Sequence, residues 1–184
     1  IYNKIKVAVI GATGYTGLDL VLMLSKHPKI SIKYLCATKN LGKSIKFFDK
    51  RINKNLPKIS PVNKIDLYKI DLIFLSLPNG EAQKLIKKYF FKNKRLKFID
   101  LSADFRILNF KTYEKNYKLK HKAKKLVKHS LYSIPELNKE IINKFRIISN
   151  PGCYPTSIQI PLAPLIKTNM IKTNDITIDS KSGY

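Results

Sequence analysis

Acidic side chains are scarce in this chain. Twelve Asp and Glu face 36 Lys and Arg, giving a formal net charge of +24. So large an excess raises nucleic-acid binding as a function class. Its make-up argues otherwise: lysine outnumbers arginine 32 to 4, and the lysines run evenly from Lys4 to Lys181. A dedicated nucleic-acid site gathers arginine and aromatics in one place. Lys, Ile and Asn, all abundant here, share A/T-rich codons, so the charge reads as compositional bias over the whole surface. No specific nucleic-acid partner is expected.

Cysteine is almost missing. Cys36 and Cys153 alone cannot build a disulfide framework, which fits a reduced, cytoplasmic setting. No stretch approaches the ~18 apolar residues of a membrane-crossing helix, so no membrane partner is expected. The first residues, from Ile1, read as a strand and not as a leader. No metal-ligand set is read. What is present suffices for a core: 44% hydrophobic residues in 184, one domain or one and part of a second.

Glycine is also sparse, and its distribution is informative. Three of the seven glycines, Gly11, Gly14 and Gly17, fall within seven residues. They follow a β-rich run, Ile5–Ile10, and precede a helical pattern through Leu18, Val21, Leu22 and Ser25 that ends at His27-Pro28. Strand, G-x-x-G-x-x-G loop and helix together form a variant of the dinucleotide fingerprint, in which backbone N–H groups approach a pyrophosphate at a helix N-terminus. Gly11, Thr13, Gly14, Tyr15, Thr16 and Gly17 are therefore candidate cofactor contacts. The ribose-reading position lies about 20 residues further on. There the chain has Thr38-Lys39-Asn40, with Lys43 nearby and no acid. Thr38 and Lys39 suit a 2′-phosphate, hence NADP.

Residues 31–37 read as a second strand, with Cys36 in the core. Residues 41–70 are poorly patterned and read as loop. The apolar run 71–77 reads as a buried parallel strand, stopped at Pro78-Asn79-Gly80. Ala82, Leu85, Ile86, Tyr89 and Phe90 then line one face of a helix. Residues 96–100 and 145–148 read as further strands, 135–144 as a short helix and 176–179 as strand-like. This alternation predicts an α/β fold, a Rossmann-like doubly wound, mostly parallel sheet over 1–149, with 150–184 beginning a second α/β catalytic domain. Ligands bind beyond the C-terminal strand ends of such sheets, so loops 11–17, 38–43, 78–80, 101–106 and 149–156 are expected on one side. Pro78 joins the cofactor candidates.

Cys153 follows the 145–148 strand, and a helix is expected after Thr156. A cysteine at such a turn sits where N–H groups and the helix dipole favour a thiolate. Read alone, it fits a small buried residue at a turn better, and the rest of the chain favours the thiolate. Arg106 leaves a strand end, and its planar fork suits a phosphate or carboxylate, or else a structural pair with Asp104. His27, His121 and His129 are expected to be solvated.

Three segments, GATGYTG at 11–17, DLSADFR at 100–106 and NPGCYPT at 150–156, occur in this order. With YSIPELN at 132–138 they resemble the N-acetyl-γ-glutamyl-phosphate reductases of arginine biosynthesis, although Ser133 stands where that family usually has glycine. The resemblance covers essentially the whole chain. The closing DSKSGY at 179–184 is similar to the approach to a glycine-rich segment of that family, so the chain is read as an N-terminal fragment. The resemblance implies NADPH-dependent reductive dephosphorylation of an acyl phosphate to a semialdehyde. It also implies a Cys153 nucleophile forming a thioester, Arg106 and Asn150 toward the substrate, and a homo-oligomer at full length. The family's histidine acid/base lies in a segment with no counterpart here, so the chain alone is expected to be inactive. Aspartate-semialdehyde dehydrogenase, related in architecture, is the nearest alternative. A basic nucleic-acid-binding module and a non-catalytic cofactor sensor are alternatives of other classes.

Overall fold

The computed structural model describes residues 3–181. Seven strands form one sheet: β1 (Ile5–Ile10), β2 (Ile30–Cys36), β3 (Ile59–Ser60), β4 (Leu72–Leu75), β5 (Lys97–Asp100), β6 (Ser130–Tyr132) and β7 (Ile147–Ser149), in the order β3-β2-β1-β4-β5-β7-β6. Every pairing is parallel. This is the expected doubly wound sheet. Its order reverses between β1 and β4, which opens a crevice at their C-terminal ends.

β1 lies inside the sheet, between β2 and β4, and its side chains alternate between two layers. Val7 and Val9 pack with Leu20, Val21 and Leu24 of α1 (Tyr15–Lys26). Ala8 and Ile10 pack on the other side with Ala82, Ile86 and Tyr89 of α2 (Glu81–Tyr89). Covering both faces explains why β1 and β4 read as continuous apolar runs and not as alternating ones. The lysines of α2 point outward, as its apolar spacing requires.

The remaining helices are α3 (Phe110–Tyr117), the single turn α4 (Pro135–Asn138) and α5 (Cys153–Lys167). Four sequence expectations change here. The 41–70 stretch contains 3₁₀ turns at 45–47 and 62–64 and the two-residue edge strand β3. The 135–144 helix is only α4 followed by a 3₁₀ turn at 142–144. Residues 176–179 form no strand, since no described neighbour offers them a ladder. α5 begins at Cys153, not after Thr156: Pro155 falls in the first turn, where its missing N–H is no loss. The 182–184 end of the glycine-rich resemblance lies outside the described residues.

Candidate active site

Hydrogen bonds running across the sheet hold all the C-terminal loops at one edge. Gly11 N–H donates to Cys36 O (2.9 Å), Ser76 N–H to Ile10 O (2.9 Å), Leu101 N–H to Leu75 O (3.0 Å) and Asn150 N–H to Asp100 O (2.8 Å). The glycine loop and Cys153 therefore share one end of the molecule, as the parallel topology requires.

The glycines of that loop differ in purpose. Gly11 has φ +85°, and a Cβ there would lie 1.9 Å from Ser76 O. A Cβ on Gly17 would lie 2.0 Å from Gly11 O. Both positions therefore need glycine for the fold. At Gly14 a Cβ would meet nothing closer than Gly11 O at 3.6 Å. Gly14 is the N-cap of α1; it supplies no side-chain cap, and the first turn holds no acid. The start of α1, the positive end of its dipole, thus borders the crevice at Gly14, an arrangement that suits an anion.

The crevice measures about 590 Å³. Gly11, Thr13, Gly14, Thr38 and Pro78 line it. Lys39 is exposed just beyond the lining, Tyr15 is exposed, and Gly17 is buried beneath the loop. Sequence reasoning missed Ser76, Leu77, Glu81, Lys84 and Leu85, which complete the far wall. Their signal was available, because the residues following β4 flank the point where strand order reverses. Glu81 and Lys84 form an ion pair on that wall.

Thr16 faces a second cavity of about 860 Å³, which Cys153, Gly152, Asn150 and Arg106 also line. Cys153 is exposed and occupies the first position of α5, behind the N-cap Gly152. Cys36, by contrast, is buried in the core, where burial pushes its thiol up to about 11. Arg106 is not paired with Asp104. Its Nε donates to Asn150 O (2.9 Å) and its Nη2 to Leu101 O (3.0 Å). Its Nη1 lies 3.1 Å from where a Gly152 Cβ would stand. The guanidinium thus clamps two loops and still borders the cavity.

The expectation of solvated histidines fails for two of the three. His27 is exposed at the end of α1. His129 is half-buried, its ring 5.2 Å from that of Phe90. His121 is 3% exposed and wedged edge-on against Phe105 and Tyr113. Its Nε2 donates to Asp104 O (2.8 Å), and its Nδ1 accepts from Ala123 N–H (3.2 Å). Those partners fix a neutral tautomer, and burial pushes the imidazole below its usual range. No histidine lines the Cys153 cavity.

Residues 6–145 match the semialdehyde dehydrogenase NAD-binding domain, and residues 153–184 match the semialdehyde dehydrogenase dimerisation domain. The chain belongs to the semialdehyde dehydrogenase family. Within that family it is N-acetyl-γ-glutamyl-phosphate reductase-like along nearly its whole length. It is 41% identical over 182 residues to the probable chloroplastic N-acetyl-γ-glutamyl-phosphate reductase of Arabidopsis thaliana, covering 98% of this chain and 45% of that protein. It is 43% identical over 182 residues to the N-acetyl-γ-glutamyl-phosphate reductase of Ehrlichia canis, covering 98% and 51%. The chain spans about half the length of these relatives. Among solved structures, aspartate semialdehyde dehydrogenase II of Vibrio cholerae, complexed with ASA, superposes with a TM-score of 0.66 at 22% identity, covering 90% of this chain and 47% of that one. The Candida albicans aspartate semialdehyde dehydrogenase with NADP superposes at 0.59 and 20% identity, covering 90% and 48%. At such identities the likeness is one of fold.

Proposed function

We propose that the chain is the dinucleotide-binding and nucleophile-bearing part of an NADPH-dependent N-acetyl-γ-glutamyl-phosphate reductase. That enzyme converts N-acetylglutamyl 5-phosphate to the 5-semialdehyde and phosphate in arginine biosynthesis. One observation carries the reading: an exposed cysteine at the first position of a helix shares a sheet end with an uncapped, glycine-walled helix N-terminus. The 41–43% identity to reductases of that name supports the substrate over the aspartyl one.

The residues present fit a dinucleotide. Gly14 leaves room at the positive end of α1, and Thr38 with Lys39 offers hydroxyl and ammonium groups to a 2′-phosphate where no acid stands. When bound, the cofactor supplies the reducing hydride. In this reading the Cys153 sulfur attacks the acyl carbon, the C–O bond to phosphate breaks, and a thioester remains on the protein. N–H groups at the start of α5 stabilise the oxyanion, while Arg106 and Asn150 border the anionic substrate. The chain divides after residue 149, in keeping with the two family matches, 6–145 and 153–184. Residues 150–184 begin the part through which full-length copies associate. Because no histidine borders Cys153, the 184-residue chain alone is inactive in this reading.

The test compares N-acetylglutamyl phosphate with aspartyl phosphate, and NADPH with NADH, in steady-state assays of the full-length protein. The first substrate and NADPH are expected to give the higher kcat/KM by at least about tenfold each, or ~1.4 kcal/mol. Preference for aspartyl phosphate overturns the reading, as does turnover by the 184-residue chain. The two loop glycines provide an independent check by melting and NADPH titration. Gly17→Ala is expected to destabilise by roughly 2–4 kcal/mol, because the atoms it meets are backbone. Gly14→Ala is expected to change stability by less than about 1 kcal/mol and to weaken NADPH binding by about tenfold.

A further inference from the structure

The loop 101–106 lines the Cys153 cavity through Leu101 and Arg106, and a buried carboxylate of the same loop ties it to the helix that walls the crevice. Gly80, the N-cap of α2, has φ +90° and no side chain with which to cap the helix. Asp104, 24 residues away in sequence and fully buried, supplies the missing cap. Its Oδ1 accepts from Gly80 N–H (2.7 Å) and its Oδ2 from Gln83 N–H (3.0 Å). A carboxylate here meets orphan donors and the positive end of the α2 dipole.

The carboxylate is itself held. The Tyr113 hydroxyl donates to Oδ1 (2.8 Å), and Gln83 Nε2 donates to that hydroxyl (3.3 Å). His121 donates to the backbone carbonyl of Asp104 (2.8 Å). One residue earlier, Ala103 N–H donates to Asn79 Oδ1 (3.2 Å). The α2 start that these bonds fix is the crevice wall carrying Pro78, Glu81 and Lys84. Two residues later the same loop sends Arg106 to Asn150 O, at the threshold of the Cys153 turn.

We propose that Asp104 is a positioning residue: through the N–H groups of Gly80 and Gln83 it sets the crevice wall at the distance from the glycine loop that a dinucleotide requires. The inference rests on the reading that the crevice takes such a cofactor. Asp104 reaches the ligand only through α2, so substitution loosens the wall without removing a ligand contact. A purely structural role would lower the melting temperature and leave the affinity of folded molecules unchanged.

The experiment is a fluorescence titration of the chain with NADPH, at a temperature where circular dichroism shows each variant folded. Asp104→Asn turns one acceptor into a donor facing another donor, and is expected to weaken NADPH binding about tenfold. Tyr113→Phe removes one support and is expected to weaken it about two- to threefold. Leu126→Ala, a buried site outside the crevice lining, serves as the control that lowers stability with affinity unchanged. Unchanged affinity in folded Asp104→Asn overturns the inference. Should Asp104→Asn fail to fold, unchanged affinity in both Tyr113→Phe and Asn79→Ala overturns it. Wild-type chain that does not bind NADPH overturns the dinucleotide reading instead.

Discussion

Cys153→Ser is expected to cut reductase turnover of the full-length protein by at least about 10³-fold while leaving NADPH affinity unchanged. The sulfur is exposed at the first position of α5, so the loss is one of chemistry and not of packing. A thiol reacts as an anion that a helix start can stabilise, whereas a serine hydroxyl needs an adjacent base to become a nucleophile. No histidine lines this cavity to serve as that base. Initial rates of NADPH oxidation measure the first quantity and fluorescence titration the second. Turnover within about tenfold of wild type would remove Cys153 from the reaction. A fall in NADPH affinity would assign it to the crevice instead.

Asp100→Asn is expected to stabilise the protein at pH 7 by up to roughly 3 kcal/mol. Asp100 ends β5 and is fully buried. Its Oδ1 accepts from Ser102 N–H (2.9 Å), but its Oδ2 has no hydrogen-bond partner among the described residues. Burial, chiefly, raises the carboxyl from 3.8 to about 6, against the pull of the Ser102 hydrogen bonds and of Arg106. The sign follows from proton uptake: the folded form binds the proton more tightly, so this group favours folding below pH ~4. That contribution disappears as pH rises through about 6. At pH 7 the native chain therefore carries a buried charge that asparagine would not. Asparagine keeps the Oδ1 acceptor, and Ser149, its partner in the β5–β7 register, carries a hydroxyl that also lacks a partner among the described residues. Chemical denaturation from pH 4 to 8 should show the advantage growing with pH and vanishing near pH 4. An advantage independent of pH would mean that the side chain's charge is not its cause.

Much of this arrangement was legible from local pattern. Ile5–Ile10, Gly11, Gly14 and Gly17 carry strand, turn and helix start within 13 residues, and Leu72–Leu75 advertises a strand buried on both faces. The turn that carries Cys153 between β7 and α5 was legible, but its exposure was not, since a cysteine at such a turn is also compatible with burial. What escaped depends on contacts distant in sequence. β6 is three residues long and exists because β7 offers it an edge. His121 sits in a lysine-rich stretch that reads as solvated, yet Phe105, Tyr113 and Asp104 close around it. The Asp104 cap on α2 spans two elements, and no spacing rule connects position 104 to position 80. Arg106 pairs with carbonyls and not with the nearby carboxylate because that carboxylate is already occupied.

Pro155 has a consequence beyond permitting α5 to begin at Cys153. A helix usually presents several unpaired donors at its opening turn. Here proline deletes one, and Thr156 N–H makes the first intrahelical bond, to Gly152 O (3.0 Å). Among the described residues the amides of Gly152, Cys153 and Tyr154 remain at the head of the helix. A negatively charged oxygen held there would be gripped by adjoining amides at the sulfur's own residue and its neighbours, which restricts the faces from which a carbonyl can present itself to attack.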